Sequence, residues 1–228
     1  MPKRALIEQR PWLVASLIAG IGYYFLADNP ITEGVWGIAL KGAGVGFLAI
    51  YALARTRGID GAILVLALAL AAAADMVLVI NFEAGGALFF ASHWVACGLY
   101  LRRRDASPSR GRVVTAAMLL IATAAMSYIL SGDPYIALYS VALGAMAATA
   151  WTSRFALARV GAGALLFILS DWLIFSRFGP YDLSPLPDLL VWPTYYAGQF
   201  MIATGVVQAL RAETPHGGES AHAKRSPV

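Results

Sequence analysis

The chain has 228 residues, 59% of them hydrophobic and only 13% charged, with a mean hydropathy of +0.67 and a formal net charge of +4. A soluble domain carries about 25% charged residues. This composition therefore excludes a soluble enzyme and a nucleic-acid-binding module, and the single cysteine, Cys97, excludes an internal disulfide scaffold.

Apolar runs separated by short polar stretches predict an all-α, polytopic membrane protein. Eight helices are expected near residues 12–27, 34–53, 61–80, 84–101, 113–130, 135–152, 157–176 and 188–210. Several are barely long enough to cross about 30 Å of hydrocarbon at about 1.5 Å per residue. The first follows a basic flank, as a signal peptide would. No small-residue cleavage site follows it, and Trp12 and Tyr23-Tyr24 read as interfacial anchors, so an uncleaved helix is expected. Breakers fall between the runs at Asp28-Asn29-Pro30, Ser131-Gly132-Asp133-Pro134 and Gly179-Pro180. Gly42, Gly44 and Gly46 in the second run read as small-residue helix packing, because no strand precedes them as a phosphate loop requires. Residues 1–210 are expected to form one transmembrane domain. Residues 211–228 read as a polar, disordered cytoplasmic tail in which His216 and His222 are inert.

Charge tests the count. Counting Arg159, at the very start of the seventh run, with the loop before it, fifteen of the seventeen Lys and Arg residues fall in alternate non-membrane segments, Arg177 alone falls in the others, and Lys41 lies within the second helix. The positive-inside rule then puts both termini and the basic loops in the cytoplasm. An integral, multi-pass membrane location is expected, which is the inner (plasma) membrane if the host is bacterial. The basic loop 102–112 is first a topology determinant, with anionic lipid headgroups as further partners.

Asp75 and Asp171 sit within the third and seventh runs, in ALALAAAADMVLV and GALLFILSDWLIF. A carboxylate at that depth costs about 2.5–3.5 kcal/mol on insertion scales, so each is a functional-site candidate. Aligning the two also places Phe82 on Phe178, which suggests two four-helix halves inserted in the same direction. With the topology above, both aspartates lie about 8 Å from the outer helix ends. Lys41, Tyr139, Tyr195 and Tyr196 fall in the same layer, and His93 and Gln199 a turn deeper. Convergence on one slab is what a polar cavity in the outer half of a bundle requires. The blander readings are a snorkelling Lys41, a packing His93, belt tyrosines and a structural Asp–Lys pair.

Those residues carry a resemblance. Lys41, the AAAAD ending at Asp75 and the spaced run Phe82, Gly85, Phe89, His93 belong to it. So do Tyr139 with Met146, the GALLFILSD ending at Ser170-Asp171, and YYAGQ at 195–199. Over residues 35–208 the chain resembles the YhhN-like membrane proteins, the family that includes the lysoplasmalogenases. Ala74 stands where the family usually has Gly. The resemblance implies a metal-independent ether hydrolase without cofactor. Its substrate would be a lysophospholipid, lysoplasmalogen, cleaved at the vinyl ether bond to a fatty aldehyde and a glycerophospho-base. Asp75 and Asp171 would be the acid–base pair, as paired carboxyls are in glycosidases. Lys41 would set which of them stays ionised or hold the substrate phosphate. Ser170, His93, Tyr139, Tyr195, Tyr196 and Gln199 would orient water and glycerol.

Zinc-dependent intramembrane amide hydrolases need several embedded histidines, and only His93 qualifies. A proton-coupled transporter would use the same acidic and basic residues but would carry a broken helix and a polar path across the whole membrane. A lysolipid-binding protein without turnover is the third reading.

Overall fold

A computed structural model describes residues 10–27 and 29–213. Asp28, the basic N-terminal segment and the tail with His216 and His222 lie outside the described residues. Among the described residues there is no strand, and eight α-helices follow one another: α1 Arg10–Leu26, α2 Val35–Arg55, α3 Gly58–Val77, α4 Phe82–Arg102, α5 Arg110–Ser131, α6 Pro134–Thr152, α7 Ala162–Phe175 and α8 Leu186–Ala212. The expected elements are present with ends moved by a few residues. The largest shift is in α7, whose first residues, Leu157–Gly161, form a π turn instead; α3 starts three residues early, where Gly58 turns the chain directly behind Arg57 with a φ of 76°.

Short side chains set the ends. Asn81 accepts from the Ala84 N–H at 2.8 Å, Ser109 caps α5, and Asp133 caps α6 with Pro134 in the first turn. The end of α5 is fixed by Gly132, whose φ of 70° gives the left-handed stop. A wider π turn over Leu157–Gly161 leads directly into α7.

Six helical stretches are long and apolar enough to cross a membrane: α2 to α6, and α7 taken with its preceding turn as Leu157–Phe175. The eight expected spans are therefore supported for six. The first helix is a shorter apolar segment of 17 residues. The last has 27 residues but is interrupted by Asp188, Gln199, Gln208 and Arg211. Most of α5 is an apolar surface open to the surroundings, with Val114, Met118 and Ile121 exposed. In water such a surface would be a liability; in lipid it is ordinary.

Consecutive helices pack as α1–α2–α3–α4, as α5–α6 and as α7–α8, and contacts α4–α6, α2–α8 and α3–α8 join the first set to the other two. The seams are lined with small residues, as bilayer packing requires. A Cβ on Gly42 would meet the Met76 side chain at 2.5 Å, so α2 rests closely on α3. The tightest reciprocal approach is between α7 and α8. A Cβ on Gly163 would lie 2.7 Å from the Gly198 carbonyl oxygen, and one on Gly198 2.7 Å from that of Gly163.

Candidate active site

Asp75 is 2% exposed near the end of α3, and Asp171 is 5% exposed in the second half of α7. Both helices run away from the arginine-rich loops, so both carboxyls sit toward the opposite end of the bundle. Neither forms an ion pair among the described residues, and each is held by a tyrosine. The Tyr195 hydroxyl of α8 donates to Asp75 Oδ2 at 2.7 Å, and the Tyr139 hydroxyl of α6 donates to Asp171 Oδ2 at 2.9 Å. His93 of α4 lies 3.1 Å from the Tyr139 oxygen through Nε2. With the Tyr139 proton given to Asp171, the imidazole donates through Nε2–H. Two hydrogen-bonded arms result, Tyr195–Asp75 and His93–Tyr139–Asp171.

A pair of phenylalanines joins the arms. Phe89 and Phe167 meet edge to face at 5.8 Å, and the Tyr195 ring stands edge-on against both, at 5.6 and 5.1 Å. His93 packs on Phe167 at 4.9 Å. These edge-to-face contacts fix ring planes, and through them the direction of each polar tip. Below lies a small cavity of about 30 Å³ lined by Ser92, His93, Gln199 and apolar residues of α3, α4 and α6. Gln199, one turn beyond Tyr195 on α8, also reaches the Tyr195 side chain.

The arms cross between the two halves of the chain. His93, from the fourth helix, reaches Tyr139 and Asp171 in the second half; Tyr195, from the eighth, reaches Asp75 in the first. Phe82 and Phe178, seven residues beyond the respective aspartates, touch with ring centroids 5.1 Å apart.

Lys41 is half-buried on α2, close enough to Asp75 to interact with it by charge, yet it makes no ion pair with it within 4.0 Å. Its Nζ lies 5.9 Å from the centre of the Tyr23 ring, which in turn packs on Trp192 at 4.4 Å. Tyr23, expected as an interfacial anchor, is half-buried and packs between the Trp192 ring and the Lys41 cation.

Two expected residues are engaged elsewhere. Ser170, fully buried, donates to the Val191 carbonyl of α8 at 3.0 Å. Tyr196 bonds Ser16 at 2.7 Å, and Ser16 donates onward to the Gly44 carbonyl at 2.6 Å, which ties α8 to α1 and α2. The structure thus brings Asp75, Asp171, Tyr139, His93, Tyr195 and Gln199 together with Lys41 at the edge, and leaves Ser170 and Tyr196 in helix seams. The sequence reading missed Phe167 altogether and named Tyr23 only as an interfacial anchor. Phe89 was noted only as one term of a spacing.

Among the described residues no group of three or more His, Cys, Asp or Glu side chains is placed to hold a metal ion. No curated protein and no solved structure matches the chain. A family model described as the YhhN family matches residues 36–206, which takes in every member of the two arms. That match spans most of the chain, and the protein belongs to the YhhN family.

Proposed function

We propose that this protein is an intramembrane lipid hydrolase that cleaves the vinyl ether bond of lysoplasmalogen, with Asp75 and Asp171 as its acid–base pair. The observation that carries this reading is the pair of carboxyls, each buried among apolar helices and each held by a tyrosine hydroxyl, on either side of a shared aromatic wall. Membership of the YhhN family is compatible with it.

The chemistry needs one carboxylic acid and one carboxylate. The acid protonates the β-carbon of the vinyl ether; the C=C electron pair forms the new C–H bond, and positive charge develops on the oxocarbenium unit. The carboxylate stabilises that charge and takes a proton from the water that attacks the α-carbon. The hemiacetal then breaks its bond to the glycerol oxygen. That oxygen gains a proton, and the hemiacetal hydroxyl loses one as the aldehyde forms. Water is the only co-reactant, and proton traffic between the two carboxyls closes the cycle. A cation beside one of two carboxyls helps them divide these roles, and Lys41 stands beside Asp75. An alternative task for the ammonium is to hold the substrate phosphate. His93 and Tyr139 orient Asp171, Tyr195 orients Asp75, and Gln199 faces the water-sized cavity below.

The membrane arrangement belongs to the same proposal. All eight helices cross the bilayer, both termini face the cytoplasm, and the lysolipid enters sideways from the outer leaflet. The one-sided distribution of Lys and Arg supports this orientation.

The test is aldehyde release from lysoplasmalogen by the purified protein. Asp75→Asn and Asp171→Asn should each lower the rate at least about 100-fold, the usual contribution of a positioned acid or base. Full activity in both variants removes the dyad. Solute flux in proteoliposomes with no product formed would replace hydrolysis with transport.

A further inference from the structure

The arginine-rich end of the bundle, remote from the paired carboxyls, holds an open crevice of about 470 Å³ between the start of α3 and the ends of α4 and α8. It is lined by Arg57, Asp60, Arg102, Arg103 and Glu213 together with Gly58, Ile59 and Leu210. Three guanidinium groups face two carboxylates, so the lining carries net positive charge. We infer that this crevice is a binding site for a phosphate group.

The local chain explains how the cations are arranged. Neighbouring residues on an α-helix point about 100° apart, so Arg102 and Arg103 would diverge if α4 continued. It stops at Arg102, and Arg103 leaves helical geometry with φ −109° and ψ 27°. Both side chains then reach one carboxylate: Arg102 Nε donates to Asp60 Oδ1 at 2.8 Å and Arg103 Nε to Asp60 Oδ2 at 2.6 Å. Arg103 Nη1 also donates to Glu213. Asp60 grips each guanidinium by its Nε edge, which leaves the terminal amino groups of Arg102 free of partners among the described residues. Arg57, exposed and also lining the crevice, makes no hydrogen bond or ion pair among them either.

The first turn of α3 adds a second kind of donor. Its N-cap is Arg57, and no side chain caps it. Gly58, Ile59 and Asp60 of this first turn line the crevice beside the arginines, and uncapped N–H groups at a helix N-terminus favour an anion. Pre-oriented guanidinium forks with uncapped amides match the geometry of a phosphate with several acceptor oxygens. An ion-pair lock between helices would need only Arg103, Asp60 and Glu213. Arg57 and Arg102 exceed that need, and Arg102 is 49% exposed at its side chain.

Two sources carry this chemistry: the headgroup of an anionic lipid in the adjoining leaflet, and soluble phosphate. The experiment uses the full-length protein in phosphatidylcholine nanodiscs with and without phosphatidic acid, read by native mass spectrometry. In parallel, detergent-solubilised protein is titrated with inorganic phosphate and its thermal unfolding followed. Arg57→Gln should weaken phosphatidic acid binding about fivefold and Arg57→Gln/Arg102→Gln more than tenfold, at about 1 kcal/mol per basic residue near a charged lipid surface. Loss confined to the lipid arm assigns a headgroup, and loss confined to a phosphate-induced rise in unfolding temperature assigns a soluble ligand. The exposed single variant guards against misfolding of the double one. Equal binding by wild type and Arg57→Gln in both arms, or no binding in either, overturns the site.

Discussion

Tyr195 and Asp75 lie 120 positions apart in the chain, yet the phenol of one donates a 2.7 Å hydrogen bond to the carboxyl of the other. That contact joins α8 to α3 across the two halves of the molecule. A hydrogen bond to a charged group is worth about 1.5–3 kcal/mol. Tyr195→Phe should therefore lower kcat/KM for lysoplasmalogen about tenfold or more. Combining it with Asp75→Asn should add little further loss, because the two groups act as one unit. Fully additive losses in that double-mutant cycle would show that Tyr195 acts independently of Asp75.

His93 touches Asp171 only through Tyr139, so it is a positioning residue. Removing its Nε2–H with His93→Leu should lower kcat about tenfold and change KM less than about twofold, since about 1.4 kcal/mol of transition-state stabilisation is lost without a substrate contact. His93→Gln keeps a donor and should recover most of the rate. An equal loss in both variants would point to packing against Phe167 as the reason for the histidine.

The neighbouring tyrosine should behave differently. Tyr196 bonds Ser16 in the seam between α8 and α1. Tyr196→Phe should cost about 1 kcal/mol of stability, seen as a lower unfolding temperature, with kcat per folded molecule changed by less than about threefold. A large kcat loss at unchanged stability would put Tyr196 back among the groups that orient the substrate.

Gly163 and Gly198 set how closely α7 and α8 approach. Gly163→Val places methyl groups where the Gly198 carbonyl oxygen already stands, 2.7 Å from the added Cβ. Overpacking of this kind costs about 1–3 kcal/mol. The variant should unfold at a lower temperature and lose activity, since Asp171 and Tyr195 ride on the two helices being forced apart. Unchanged stability and rate would mean the seam can relax.

Helix number and the approximate place of each helix were readable from the chain because they depend on runs and their spacing. The burial of Asp75 and Asp171 followed from where each stands in its run. Which residue each one touches did not follow, because that depends on how every helix is rotated about its axis. Tyr195 and Tyr196 share a depth but point about 100° apart, one to Asp75 and the other to Ser16. Ser170 and Asp171 divide in the same way, the serine turning to the Val191 carbonyl. Tyr23 looked like a belt residue because its inward partners, Trp192 and Lys41, lie on other helices. Phe167 carried no signal at all among so many apolar neighbours.

The glycine contact also acts as a fulcrum. Gly163 precedes Asp171 by about 12 Å of helix, whereas Gly198 follows Tyr195 by only about 4.5 Å. Both side chains stand on the same side of the pivot, on levers of unequal length. A tilt of about 5° there swings Asp171 by about 1 Å and Tyr195 by less than half as much. Gly163 is the second residue of α7, so nearly the whole helix is a lever on one side of the pivot; a lipid wedged in on that side would part Asp171 from Tyr195 with little movement behind the fulcrum.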